Sequence, residues 1–351
     1  MASRALPRAP SVLGGSMILF AIGVAGALAL AALLGVSDAP NAAAALLASR
    51  TGSYSAVAAW SLAWHVAGGL LAGVAVARTI AGIVHVGSAA TVPVLAAASL
   101  TAVGFTWATT RKGLPTSASV GLVGGLAGAG LAAGGVRAVE WGGLAGVRLV
   151  GVLGVLIGIL LAPFLAACAA GLVDQLARRA AVRLPRSARR ELRGGLWVAS
   201  AAVAVADGTN DGQKAMGLLA VVVSGTGALA GAGGIAPWER VSCALVLAAF
   251  TVLGGRRVVA RVSRGLARGG AVDDLAAQCA SAGVILAAAA VGLPLSTSTV
   301  VTSSMVGAGV SARRRHVRWG GVLRIFVAWA LTVPACGVAA AGAYEVLRRI
   351  P

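Results

Sequence analysis

Four stretches of this chain, Ser16 to Leu34, Ser88 to Thr110, Leu149 to Val173 and Ile325 to Tyr344, run without one charged residue. A bilayer's hydrocarbon core is about 30 Å thick and takes about 20 apolar residues of helix to cross, a length each stretch reaches. The solvent for such a chain is lipid. Its 58% hydrophobic and 11% charged residues rule out a soluble globular domain. A fifth charge-free stretch, Leu275 to Ala312, is long enough at about 1.5 Å per residue to cross and return, which predicts a helical hairpin.

The formal charge of +19 would point to nucleic acid in a soluble protein. Here 27 of the 29 basic residues are arginines lying mostly between apolar stretches, where they act as topology signals, and no nucleic-acid partner is expected. The clusters at Arg178 to Arg193, Arg256 to Arg268 and Arg313 to Arg324 are assigned to the cytoplasmic side. The four cysteines, Cys168, Cys243, Cys279 and Cys336, are solitary and read as packing residues. Arg4 and Arg8 precede an apolar run longer than a signal-peptide core, so the run is expected to stay as an uncleaved first helix.

An internal repeat sets the architecture. GVSDAPNA at 35–42, GLPTSAS at 113–119 and WGG at 141–143 return as GTNDGQKA at 208–215, GLPLSTS at 292–298 and WGG at 319–321, offset by 173, 179 and 178 residues. The expected fold is an all-α polytopic membrane protein of two inverted-topology repeats, with broken helices and hairpins at the midplane. The expected divisions are an N-terminal tail (1–15), a first transmembrane repeat (16–173), an Arg-rich cytoplasmic loop (174–194) and a second repeat (195–351). Inversion follows from counting crossings outward from the Arg178–Arg193 loop. The Arg256–Arg268 loop falls inside, and its arginine-poor counterpart around Arg78 falls outside.

Inverted-repeat transporters aim backbone N–H groups at an anion and side-chain oxygens at a cation near the midplane. In GVSDAPNA, Gly35 and Pro40 are expected to interrupt the helix while Ser37, Asp38 and Asn41 supply oxygens. Asp38 alone could be a helix cap. Its repetition as Asn210 and Asp211 favours a cation or proton path, since an intramembrane carboxylate costs at least about 2.5 kcal/mol. The Gly-Leu-Pro turns lead into hydroxyl runs suited to an oxyanion, with Ser117, Ser119, Ser296, Thr297 and Ser298 as candidate ligands. Singly, each could be a small residue that lets helices pack. Lys214, beside Gln213, could offset Asp207 or Asp211, touch the anion, or snorkel to a surface. His65, beside Trp64, reads as a packing histidine more readily than as a proton relay.

These motifs resemble those of the inorganic phosphate transporter (PiT) family. GTNDGQKAMG is similar to its GANDAQKxMG signature, GLPLSTSTVV to its GLPVSTTHxx hairpin and GVSDAPNA to a weakened GANDxxNA; LRIFVAWALTVPA at 323–335 is also typical. The resemblance runs from about Met17 to Tyr344. It implies a multi-pass plasma (inner) membrane symporter importing inorganic phosphate with Na⁺ or H⁺, without a cofactor. Carried over by position, Asp38, Asn41, Asn210 and Asp211 would serve the coupling cation, as metal ligands if it is Na⁺. Gln213 and Lys214 would join the five hydroxyl residues on the substrate side. Departures stand at Ser37 for Asn, Ala118 for Thr, Val120 and Thr299 for His, and Asp207 for His, so the first half has lost more polar ligands than the second.

The alternatives are a sulfate or other oxyanion permease of the same fold, and an anion sensor that does not transport. An intramembrane enzyme would need a catalytic group near an interface, yet His65, His85 and His316 all lie outside the repeated motifs. A homodimer and a cytoplasmic regulatory partner are further expectations.

Overall fold

The computed structural model describes residues 12–111, 117–145, 148–181, 188–225, 234–266, 270–312 and 319–350. The side chains of 38–40, 254–266 and 319–326, and those of some residues at helix ends, fall outside that description, as does the Lys112 to Thr116 part of the first Gly-Leu-Pro motif. Among the described residues the chain is helical apart from one small hairpin. The helices are α1 (Val12–Ala48), α2 (Tyr54–Leu71), α3 (Ala75–Ala81), α4 (Ser88–Arg111), α5 (Ala118–Gly134), α6 (Gly151–Ala181), α7 (Ala188–Ser224), α8 (Pro237–Leu266), α9 (Ala271–Val291), α10 (Thr297–Ala312) and α11 (Trp319–Leu347). Strands β1 (Gly143–Ala145) and β2 (Arg148–Val150) form the hairpin at the first WGG motif.

Five helical segments are long and apolar enough to cross a membrane: Met17–Leu47, Ser88–Arg111, Gly151–Arg179, Ala271–Val291 and Val327–Leu347. Four of these overlap the charge-free runs, and the fifth opens the 275–312 stretch, which folds as α9, a turn at 292–296 and α10. Gly292 makes that turn possible. It ends α9 in the left-handed region at φ 81°, and a Cβ there would lie 2.9 Å from the Ala75 carbonyl oxygen.

The two halves pack reciprocally. α1 lies on α8 as α2 lies on α7; α5 packs on α11 as α10 packs on α6; α4 joins α5 and α11 as α9 joins α10 and α6. Exchanging α1 with α7, α2 with α8, α4 with α9, α5 with α10 and α6 with α11 maps each pairing onto another. The closest approaches repeat too. A Cβ on Gly128 of α5 would sit 2.0 Å from the Gly337 oxygen of α11, and one on Gly307 of α10 would sit 2.0 Å from the Ala167 oxygen of α6. Lipid tails are as apolar as leucine, so helix association in a bilayer depends on such close backbone packing.

The sequence reading needs two corrections. The expected break at GVSDAPNA does not occur: α1 runs on through that motif, as α7 does through GTNDGQKA. Pro40 removes one helical N–H, a local loss in a segment held by packing on both sides. At Gly35 and Gly208 an added Cβ would lie 2.1 Å from the Leu247 oxygen of α8 and 2.3 Å from the His65 oxygen of α2, so these glycines permit contact rather than a turn. The break lies instead between α2 and α3, which meet at 71°. Secondly, residues 174–181 and 188–194 of the expected Arg-rich loop are helical, at the end of α6 and the start of α7. Asp174 and Arg178 remain helical, with Arg178 Nε donating to Asp174 Oδ2 at 2.9 Å and its Nη2 bonded to Asp273 of α9.

Candidate functional site

Asp207 and, in the second repeated motif that follows it, Asn210, Asp211 and Lys214 share one face of α7, at spacings of three and four residues. All four side chains are buried, together with Asn41 of α1, His65 of α2, Ser117 and Ser119 at the start of α5, and Ser296 and Thr297 at the start of α10. Polar groups withdrawn from water must find partners, and the partners define three zones along α7.

The first zone lies where α7 crosses α1 and α2. Asn41 Nδ2 donates to Asp207 Oδ2 at 3.1 Å, while the Asn41 backbone carbonyl accepts from Gln278 of α9 at 2.9 Å. His65 Nδ1 lies 2.7 Å from the Ser61 carbonyl, which fixes the proton on that nitrogen, and its Nε2 stands 3.9 Å from Asp207 Oδ2. Asp38 belongs to this stretch of α1, but its side chain lies outside the described residues.

The second zone is an amide clip. Asn210 Nδ2 donates to the Leu293 carbonyl and Asn210 Oδ1 accepts from the Leu295 N–H, each at 3.1 Å. Thr79 of α3 donates to the Gly292 carbonyl at 2.6 Å. Groups from α3 and α7 thus hold the Gly-Leu-Pro-Leu turn from outside. The turn has no regular ladder of its own, so these bonds fix its shape.

The third zone is charged. The Lys214 ammonium pairs with Asp211 Oδ1, donates to Ser119 Oγ at 2.8 Å and bonds the Leu295 carbonyl. Thr297 Oγ1 donates to the other Asp211 oxygen at 2.9 Å, and Ser119 Oγ donates to the Leu295 carbonyl at 3.0 Å. Lys214 is 0% exposed, which excludes snorkelling.

The remaining expected ligands have more local partners. Ser117 caps α5 by accepting the Val120 N–H at 3.5 Å, Ser296 bonds Thr299 Oγ1 at 2.8 Å, and Ser298 is half-buried in the first turn of α10. Gln213 points elsewhere: its Oε1 accepts the Val76 N–H at 2.9 Å, the first turn of α3. At the other lip of that break Arg240 of α8 bonds the Ala72 carbonyl. The broken helix keeps its freed backbone groups satisfied through two side chains of the second half. Gln278 and Thr79 were missed by the sequence reading, although each is a polar residue inside an apolar helix, the signal that marks functional positions in a membrane. Among the described residues no cluster of three or more His, Cys, Asp or Glu is placed to hold a metal ion. The oxygens gathered here suit a hard monovalent cation or a proton better than a transition metal.

Comparison with known proteins decides the family. The sequence profile of the phosphate transporter family matches residues 34–340. The chain belongs to that family. A probable low-affinity inorganic phosphate transporter of Mycobacterium bovis is 35% identical over 335 residues, 95% of this chain and 79% of that protein. The protein of the same description from Rhizobium meliloti is 31% identical over 313 residues, 89% of this chain and 91% of the relative. Among solved structures, the sodium-dependent phosphate transporter superposes with a TM-score of 0.77 at 20% identity, covering 95% of this chain and all of the other, which establishes a shared fold. This member of the phosphate transporter family is therefore a multi-pass membrane protein, and its named relatives are transporters rather than enzymes.

Proposed function

We propose that this protein is a secondary active symporter that imports inorganic phosphate across the plasma membrane with Na⁺ or H⁺, using two inverted-topology repeats. The observation that carries the reading is the convergence of a pinned Gly-Leu-Pro turn, the hydroxyls at the starts of α5 and α10, and the buried α7 motif. A helix N-terminus favours an anion, and the start of α10 with Ser296, Thr297 and Ser298 makes a cradle for an oxyanion. Ser117 and Ser119 complete it from the α5 side. The path assigned to the coupling cation runs by Asn41 at the crossing of α1 and α7, the stretch of α1 to which Asp38 belongs, and along the α7 motif that carries Asn210 and Asp211. The reciprocal packing of the halves supports a pseudo-twofold relation, and the arginine bias between equivalent loops supports inversion. The sodium dependence in the name of the structural neighbour makes Na⁺ the first coupling ion to test.

The test is radiolabelled phosphate uptake into proteoliposomes under imposed Na⁺ or H⁺ gradients, with sulfate as competitor. Accumulation against a phosphate gradient, driven by one of the two cations and resistant to excess sulfate, is the expected result. Uptake blocked equally by sulfate would reassign the anion. Phosphate binding without uptake under either gradient would identify a sensor. Ser296→Ala and Ser298→Ala should each weaken phosphate binding by about 1–3 kcal/mol if these hydroxyls touch the anion.

A further inference from the structure

We propose that the Lys214 ammonium is a tethered cation: it fills the place a free alkali ion would take beside Asp211, so that position recruits no ion from solution. The inference rests on the symporter reading of this site and assigns the division of labour within it.

The argument starts from donors and acceptors. An ammonium has three N–H donors and no acceptor. Lys214 places all three on oxygens of different kinds and from three elements: the Asp211 carboxylate on α7, the Ser119 hydroxyl on α5 and the Leu295 carbonyl in the turn before α10. Carboxylate, hydroxyl and carbonyl oxygens are the donor set that hard cations take in proteins. The second Asp211 oxygen is already occupied as acceptor by Thr297 Oγ1. Each Asp211 oxygen thus already has a donor, and the Lys214–Asp211 pair carries no net charge to attract a further cation.

Two consequences follow. Lys214 and Asp211 lie one turn apart on the same helix, so the charge and its counter-charge move together, and their pairing requires neither Na⁺ nor a proton from either side. The exchangeable coupling ion must then bind elsewhere, toward the Asn41 crossing of α1 and α7, and the expectation that Asp211 carries it is replaced. Conversely, removing the ammonium leaves a buried carboxylate, a hydroxyl and a carbonyl around a space that Na⁺ can enter, because an unpaired buried carboxylate is the costliest state available.

The experiment is equilibrium binding of radiolabelled Na⁺ to the purified full-length protein in nanodiscs, at constant ionic strength with choline as replacement. Wild type is compared with Lys214→Ala, Lys214→Gln and the charge-neutral double variant Lys214→Gln/Asp211→Asn. Both single variants should bind one more Na⁺ per chain than wild type, and the double variant should lose that extra ion. Their thermal midpoints should rise with Na⁺ beyond any rise in wild type. Single variants that fold in Na⁺ but not in choline would support the proposal in the same way. Folded single variants that bind no extra Na⁺ would overturn it, as would single variants that fail to fold in either salt while the double variant folds. Because the readout is ion binding, a protein that fails to transport phosphate would defeat the functional reading and leave this one separately decidable.

Discussion

Asn210 is the residue through which α7 holds the turn before α10, the proposed phosphate cradle, and its substitution gives a graded test of that proposal. In Asn210→Ala the Leu293 carbonyl and the Leu295 N–H both lose their 3.1 Å partner. Leu295 is 0% exposed, so water does not replace the amide directly. Each buried backbone group left unpaired costs about 1–3 kcal/mol, which puts the loss of turn stability at roughly 2–6 kcal/mol. Thr79 and Lys214 still hold the flanking carbonyls of Gly292 and Leu295, so the turn loosens rather than unfolds. If about 2 kcal/mol of that loss falls on phosphate binding, Kd rises roughly thirty-fold. Asn210→Asp should be worse. It keeps an acceptor for the Leu295 N–H but turns a second carboxylate oxygen onto the Leu293 carbonyl, in a region where repulsion is poorly screened. Equilibrium phosphate binding to detergent-purified protein reads both effects. A Kd within twofold of wild type in Asn210→Ala, with the protein folded, would refute the view that the amide clip preorganises the cradle.

Gly128→Ala and Gly307→Ala should each lower the thermal midpoint, at a cost of about 1–3 kcal/mol from forcing two backbones apart, while Gly104→Ala and Gly283→Ala, where a Cβ meets open space, should leave it unchanged. Gln213→Leu strands the Val76 N–H at the α2–α3 break, so hydrogen exchange across residues 75–81 should accelerate by about ten-fold or more, without matching acceleration in α4. For topology, single cysteines near Arg189 and Arg261 should react only with membrane-permeant thiol reagents and one near Gly82 with impermeant external ones; labelling of the last two from the same face would defeat inversion.

The membrane class, the individual spans and the 275–312 hairpin were legible because each depends on composition along the chain. The position of the helix break was not. Gly35 and Pro40 have the composition of a break, yet α1 is packed against α8 and stays helical. The stretch Leu71 to Ala75 contains no proline, and it breaks where Gln213 and Arg240, both more than 130 residues away in sequence, are placed to satisfy the opened backbone. The α7 motif was found by its repetition, but the division of its residues was hidden. Asn210 grips backbone, Gln213 faces away and Lys214 faces Asp211, and spacing alone puts all three within reach of the same centre. Asp207 stood out in the sequence as a departure from the family pattern and as a counter-charge for Lys214, whereas its neighbours Asn41 and His65 come from helices far from it in the chain.

The reciprocal packing sorts the helices in a way the chain order does not. α4, α5 and α11 form one group and α9, α10 and α6 another, each drawing its last helix from the other half, while α1, α2, α7 and α8 interlock between them. The polar centre lies where these groups meet. The α10 group is tied to α7 through Thr297 on Asp211 and Asn210 on the turn, and the α5 group through Ser119 on Lys214. Ser119 also donates directly to the Leu295 carbonyl, so this one hydroxyl links both groups to each other and to α7. If the starts of α5 and α10 hold phosphate as proposed, the anion displaces that link, and its oxygens accept both hydrogen bonds that the displacement frees, one from Ser119 and one from Lys214.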